Sequence, residues 1–119
     1  NRMEDAPEGK WLAENSWKYG FILRYPPDRV DITGIQYEPW HFRYVGLPHS
    51  AIMYQQNLVL EQYLDLLQQK KDIDTTVDGH DYHIRYYDAT SVETIYVPSQ
   101  GNYDISGDNK KGIIVTARK

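Results

Sequence analysis

Apolar residues recur at helical spacing in two stretches of the chain. In residues 6–19 they predict an N-terminal helix, for which Asp5 and Glu8 have capping-box spacing and Gly20 is a stop signal. In residues 48–71 they predict one long helix whose apolar stripe packs in the core. The stripe consists of Ile52, Gln56, Val59, Tyr63 and Leu67, widened by Leu60, Leu64 and Leu66.

Shorter apolar and aromatic runs predict β-strands. Residues 21–25 and 35–45 predict a strand pair, with a polar loop over 28–34 and an interruption at Pro39. The dipeptide Asp78-Gly79 is typical of a two-residue hairpin turn. Further strands are predicted over 82–88, 91–97, 103–106 and 112–117, with a polar turn over 106–111.

Together these elements predict an α+β fold in two parts. Residues 1–72 hold the helices and the strand pair, whereas residues 73–119 form a small antiparallel β module. Residues 72–76 are expected to be a short linker between the two parts.

Composition narrows the classes of function. The 119 residues carry a net charge of -4, which disfavours a nucleic-acid partner because phosphate binding requires a basic field. No apolar run approaches the roughly 18 residues of a membrane span, so none is expected in this chain. There is no cysteine, and any metal site must therefore use His, Asp or Glu.

The densest candidate for chemistry is the segment Glu38-Pro39-Trp40-His41. Residues three apart on a regular strand point to opposite faces, but a bend at Pro39 can turn both side chains toward one site. A neutral imidazole can hold zinc while a neighbouring carboxylate takes the proton from zinc-bound water. The alternative is a strand with one hydrogen-bonded histidine and a surface glutamate, and spacing alone favours that alternative.

Longer runs on both sides of this segment add a family resemblance. They are PEGKWLAEN at residues 7–15, KYGFILRYP at 18–26 and TGIQYEPWHFRYVG at 33–46, followed by LPHSAIM at 47–53 and, more loosely, YDISG at 103–107 and GIIVT at 112–116. This pattern closely resembles the C-terminal half of the VanY-type D-alanyl-D-alanine carboxypeptidases, which are zinc peptidases associated with glycopeptide resistance. The resemblance implies half of a zinc D,D-peptidase core, followed by the long helix and the β module.

The resemblance also implies a role for each matching residue. Glu38 corresponds to the catalytic glutamate that acts as general base for zinc-bound water, His41 to a zinc ligand, and Trp40 to a wall of the substrate pocket. The implied reaction is hydrolysis of the terminal D-Ala from a peptidoglycan stem peptide or its precursor, with zinc as cofactor. The implied location is outside the cytoplasm, in the cell envelope.

One departure from the family limits what this chain is expected to do alone. The family's zinc site also uses an upstream segment of the type His-x-x-Gly-x-Ala-x-Asp, which is not found in these residues. We therefore expect a C-terminal fragment that supplies one zinc ligand, lacks two others and is inactive by itself. The alternative is a non-catalytic remnant whose β module binds cell-wall material or a protein partner. An incomplete core would also favour a homo-oligomer, or exchange of strands or helices between two copies.

The remaining histidines and arginines have mainly structural interpretations. His49 is expected to mark the entry into the long helix, and His80 and His83 to point to opposite faces of a hairpin strand rather than to bind a metal. Arg24 and Arg43 are expected to form surface ion pairs rather than to bind a substrate carboxylate.

Overall fold

The structure of the protein is a computed structural model, which describes residues 2–91 and 94–119. It divides into two compact units, Asn1–Tyr63 and Leu64–Lys119. Both helices and antiparallel strands are present, so the predicted α+β class is confirmed. The boundary between the units lies earlier than residue 72, within the last helix of the chain. No helix in the described ranges is both long and apolar enough to cross a bilayer.

The first unit begins with helix α1, Pro7–Asn15, which continues as a 3-10 turn over Ser16–Tyr19. Gly20 ends this segment in the left-handed region with φ of 91°, as predicted, and a Cβ there would lie 2.6 Å from the Tyr44 ring. The predicted capping box is absent, because the helix starts one residue later than expected. Ala6 is its N-cap and makes no side-chain capping bond.

A two-stranded antiparallel sheet follows, formed by β1, Phe21–Leu23, and β2, Phe42–Tyr44. Both strands are shorter than the predicted 21–25 and 35–45. The helix α2, Val30–Thr33, occupies the predicted polar loop, and the residues directly before β2 form a turn instead of a strand.

The predicted long helix over residues 48–71 is wrong in one respect, because it is two helices, α3, His49–Gln56, and α4, Leu60–Lys70. Asn57 adopts the left-handed conformation with φ of 55° and ends α3, a conformation that Asn tolerates better than most residues. The Gln62 side chain then accepts the Val59 N–H at 3.1 Å and starts the next helix. The predicted stripe is nevertheless core at Ile52, Val59, Tyr63 and Leu67, although Gln56 is exposed.

The second unit contains a four-stranded antiparallel sheet in the order β3-β4-β6-β5. Its strands are β3, Asp72–Val77, β4, His80–Asp88, β5, Asn102–Gly107, and β6, Gly112–Arg118. The predicted hairpin is confirmed, since Asp78 and Gly79 both have positive φ and Val77 pairs with His80. Alternate residues of the two central strands are buried on one face: Tyr82, Ile84, Tyr86, Ile114 and Thr116.

Two predictions for this part of the chain are wrong. Residues 72–76 are not a linker, because they pair with β4 along their whole length as an edge strand. The predicted strand 91–97 is not a strand at the positions that the structure describes, and its residues 92 and 93 lie outside the described residues. The polar sequence of residues 72–76 gives no strand signal of its own, but the tight Asp78-Gly79 turn requires a paired strand on each side.

Candidate functional site

The segment from Glu38 to His41 forms a tight turn. The Glu38 carbonyl accepts the His41 N–H at 3.2 Å, with Pro39 and Trp40 at the two central positions. Because of this turn, the side chains of the first and fourth residues emerge on the same side. The bend that the sequence predicts at Pro39 is therefore present, and it brings the glutamate and the histidine together.

The turn is attached to the end of β1 by two backbone hydrogen bonds. Arg24 donates its N–H to the His41 carbonyl at 2.8 Å, and Glu38 donates its N–H to the Tyr25 carbonyl at 3.0 Å. Arg24 and Tyr25 are consecutive, whereas their partners His41 and Glu38 are separated by Pro39 and Trp40. These two residues therefore bulge out from the paired backbone. This arrangement fixes the backbone at both ends of the Glu38–His41 segment.

Glu38 and His41 contact each other directly. Glu38 Oε1 lies 3.1 Å from His41 Nδ1, and the side chains are 28% and 44% exposed. Such a contact favours the tautomer with hydrogen on Nδ1 and the lone pair on Nε2. Within the described part of the chain no group hydrogen-bonds to Nε2, so the imidazole keeps a nitrogen that could bind a metal.

Tyr25 and Arg24 lie beside this pair, and sequence reasoning assigned no role to Tyr25. The Tyr25 ring meets the His41 ring edge to face, with centroids 5.1 Å apart and an angle of 82°. The Arg24 guanidinium lies over the Tyr25 ring at 4.5 Å and binds both carboxylate oxygens of Glu61 at 2.9 Å. The predicted ion-pair role of Arg24 is thus present, although its side chain is only 11% exposed.

The neighbours of the pair are arranged around the turn. Trp40 is 64% exposed at the tip of the turn, which leaves its ring available to a ligand. Tyr37 and Pro39 line a small cavity of about 130 Å³, and burial raises the pKa of the Tyr37 hydroxyl. Arg43 is exposed in β2. Its predicted surface ion pair stays a prediction.

A larger cleft of about 430 Å³ lies elsewhere in the first unit, and neither Glu38, Trp40 nor His41 lines it. Its walls include the stacked rings of Trp17 and Tyr54, whose centroids are 5.2 Å apart. The acid and the imidazole therefore lie on an open surface turn rather than in the larger apolar cleft.

His49 is a buried part of the core. It is the first residue of α3, as predicted for a helix-entry residue, and its Nδ1 lies 2.5 Å from the Tyr63 hydroxyl. Burial raises the pKa of that hydroxyl, so the phenol stays protonated and able to donate a hydrogen bond. This geometry supports a structural role for His49.

The hairpin histidines are engaged by charged residues of the sheet. Arg118 Nη2 lies 2.8 Å from His80 Nδ1. His83 has Asp74 at 2.9 Å from Nδ1 and Asp72 at 3.0 Å from Nε2. Among residues 2–91 and 94–119, neither histidine belongs to a group of three or more His, Cys, Asp or Glu that could hold a metal ion.

The chain provides one histidine at this turn that is suited to bind zinc. His41 fits as one ligand, and the Glu38 carboxylate contacts its ring, as is common for metal-binding histidines. Residues 2–91 and 94–119 contain no group of three or more His, Cys, Asp or Glu that could hold a metal ion. A catalytic zinc site needs about three protein ligands, so these residues do not form a complete one.

Comparison with known proteins bears out the resemblance. The family model for the VanY D-alanyl-D-alanine carboxypeptidases matches residues 1–47. A D-alanyl-D-alanine carboxypeptidase of Enterococcus faecium is 61% identical over 115 residues, which are 97% of this chain and 38% of that protein. The chain therefore spans well under half the length of this relative.

Two solved structures are also similar. The vancomycin-resistance D,D-dipeptidase VanXYg, solved with a D-Ala-D-Ala phosphinate analogue, matches with a TM-score of 0.82 and 37% identity over 90% of this chain and 45% of that one. A vancomycin-resistance D,D-pentapeptidase VanY in complex with Zn(II) is 55% identical over 47% of this chain and 32% of that one, with a TM-score of 0.46. The predicted resemblance is thus confirmed, and this chain is similar to part of a VanY-type D-alanyl-D-alanine carboxypeptidase over almost its whole length.

Proposed function

We propose that this chain supplies the general base and one zinc ligand of a D-alanyl-D-alanine carboxypeptidase. The enzyme would remove the terminal D-Ala from peptidoglycan stem peptides. The observation that carries the proposal is the turn that places Glu38 Oε1 3.1 Å from His41 Nδ1. The sequence that surrounds this turn lies within the part matched by the VanY family model.

In this proposal the two side chains have separate tasks. His41 would hold the metal, while Glu38 Oε1 keeps the ring in one orientation. The second oxygen of Glu38 then accepts a proton from the attacking water. When bound, zinc would polarise the scissile carbonyl and lower the pKa of that water. VanY, the relative 55% identical over its matched part, binds Zn(II), which supports zinc as the metal.

Trp40 is proposed to contact the substrate. Its exposed indole lies between the base and the ligand along the chain, so a peptide that reaches Glu38 and His41 passes close to it. Aromatic rings contribute large contact areas with little loss of conformational freedom. We also propose a location outside the cytoplasm in the cell envelope, where peptidoglycan peptides are found.

A chimera provides the test. The matched 115 residues of the Enterococcus faecium carboxypeptidase are replaced by this chain, and release of D-Ala from a stem pentapeptide ending in D-Ala-D-Ala is measured. We expect activity, and we expect Glu38→Gln to lower it by about 10²- to 10⁴-fold, the usual contribution of a general base. Zinc content should be unchanged in that variant.

The matched control is Asp74→Asn, an acid that also contacts a histidine but lies in the β-sheet. It should release D-Ala at the rate of the unmodified chimera. A Glu38→Gln chimera that keeps full activity would refute the assigned base. A folded chimera without activity would instead support the alternative, a non-catalytic module that binds cell-wall material or a partner.

Association between two copies of this chain is a separate prediction. It would allow exchanged strands or helices to complete a core. Gel filtration of the isolated chain at several concentrations tests it, since elution as a monomer throughout would exclude such an exchange.

A further inference from the structure

We propose that Tyr25 is a positioning residue for His41, and that the ion pair between Arg24 and Glu61 holds Tyr25 in place. The inference rests on the proposed function, because it concerns the orientation of the imidazole that would bind zinc. It adds three residues that motif reasoning around Glu38 and His41 does not include. All five residues belong to the first unit.

Tyr25 contacts both ends of the Glu38–His41 segment. Its carbonyl accepts the Glu38 N–H at 3.0 Å, and its ring packs edge to face on the His41 ring with centroids 5.1 Å apart. Its backbone therefore fixes the start of the turn, while its side chain fixes the imidazole at the end. Because both contacts come from one residue, the position of the turn and the orientation of the imidazole are linked.

The His41 ring needs such a contact because it is partly exposed. At 44% side-chain exposure the ring is only partly packed, and the hydrogen bond to Glu38 fixes only one ring nitrogen. A ring that contacts Tyr25 as well as Glu38 has its plane and its orientation defined. A metal ligand must be held close to its productive geometry, so this restriction matters for binding.

Tyr25 is in turn held in place by Arg24. The Arg24 guanidinium lies 4.5 Å from the Tyr25 ring centre, and its own position is fixed by two parallel bonds of 2.9 Å to Glu61. Such forked pairs are geometrically rigid, and the low exposure of Arg24 protects this one from solvent. Glu61 comes from α4, so the network anchors the turn to a helix.

The first experiment uses the isolated chain without metal. Proton NMR measures contacts between the Tyr25 and His41 rings and the ring-proton shifts of His41, while long-range ¹H–¹⁵N correlation reports its tautomer. Tyr25→Leu should remove the ring contact and move the His41 shifts toward those of an unpacked histidine. Tyr25→Phe keeps the aromatic ring, so its His41 shifts should stay close to those of the unmodified chain.

The matched control is Tyr19→Leu, which removes an exposed tyrosine that contacts Trp11. It should leave the His41 signals unchanged. If Tyr25→Leu does not fold, Glu61→Gln decides the question, because it removes one charge of the supporting ion pair and leaves Tyr25 intact. A smaller shift change in the same direction supports the proposal, whereas unchanged His41 signals in a folded variant overturn it.

The second experiment measures zinc affinity and kinetics in the chimera. Tyr25→Leu should weaken zinc binding and lower kcat by about tenfold each, at the lower end of the range for residues that orient metal ligands, with little change in KM. Tyr25→Phe should recover most of both. Unchanged zinc affinity and kcat in an active, folded Tyr25→Leu chimera would overturn the proposal. An inactive unmodified chimera would count against the proposed function instead, while the NMR experiment would still decide the role of Tyr25.

Discussion

Two histidines of this chain contact carboxylates at nearly equal distances, yet their chemical prospects differ. His41 has Glu38 at 3.1 Å from Nδ1, and no described residue hydrogen-bonds to its Nε2. His83 has an aspartate at about the same distance from each ring nitrogen, 2.9 Å from Nδ1 and 3.0 Å from Nε2. Both ring nitrogens of His83 thus face a carboxylate, whereas only one nitrogen of His41 does.

The backbone explains the difference. His83 lies in a regular antiparallel pair with Asp74 directly opposite, and Asp72 lies two residues further along the same face of β3. His41 instead ends a turn that presents a single acid. The two histidines therefore differ in how many ring nitrogens their acids occupy, two in His83 and one in His41.

The largest expected difference between the two histidines is in zinc affinity. In the chimera, His41→Ala should weaken zinc binding by at least about 100-fold, since loss of a mere supporting partner already costs about 10- to 100-fold. His83→Ala should leave zinc binding unchanged. Competition with a chelator of known affinity measures both. Equal losses of zinc affinity in the two variants would show that His41 and His83 do not differ as metal ligands.

A smaller effect is expected at Trp40, the exposed residue at the tip of the Glu38–His41 turn. Trp40→Ala should raise KM for the stem pentapeptide by about 3- to 10-fold, because an aromatic contact contributes about 0.5–1.5 kcal/mol beyond simple burial. The melting temperature should hardly change, because the ring is largely exposed. A fall in kcat at constant KM would contradict a role in substrate contact.

Acid should act on the sheet around His83. Hydrogen bonds from Arg85 lower the pKa of Asp72, those from His83 lower the pKa of Asp74, and those from Thr90 lower the pKa of Asp88 to about 2. Because these pKa values lie below the ordinary value of 3.8, the stabilisation is present above that pH and is lost as the pH falls toward 2. We therefore expect the melting temperature of the isolated chain to fall gradually over this range.

Thermal unfolding of Asp72→Asn and Asp74→Asn variants checks this assignment. Each should be less stable than the unmodified chain near neutral pH and should lose less stability on acidification. Identical acid profiles in the unmodified and substituted chains would show that the cluster does not contribute.

The smallest effect is expected for the stability contribution of His83 itself. His83→Ala should lower the free energy of unfolding by about 1 kcal/mol or less, because ion pairs at a solvated surface contribute little. Denaturant unfolding at neutral pH measures it. A much larger loss would mean that the cluster is a central part of the sheet rather than an exposed charge network.

Several features of the fold follow directly from local sequence. Gly20 and the Asp78-Gly79 dipeptide occupy positive-φ positions that few other residues accept, so their turns could be predicted. The break at Asn57 could not, because the apolar stripe continues through it and Asn only permits the left-handed conformation without requiring it. The edge strand β3 was missed for a related reason, since its polar sequence forms a strand only through pairing with β4.

For the candidate site, the sequence by itself determined the residue types, the order Glu-Pro-Trp-His and the family to which this segment is similar. Only the tertiary structure decided that the glutamate contacts Nδ1 of the histidine, and that Tyr25, Arg24 and Glu61 surround the pair. The Glu38–His41 turn depends on residues close in sequence, so its bend could be predicted. The contacts of Tyr25 and Glu61 could not, because they join positions far apart in the chain. Such contacts depend on how β1 and α4 pack, which no local pattern specifies.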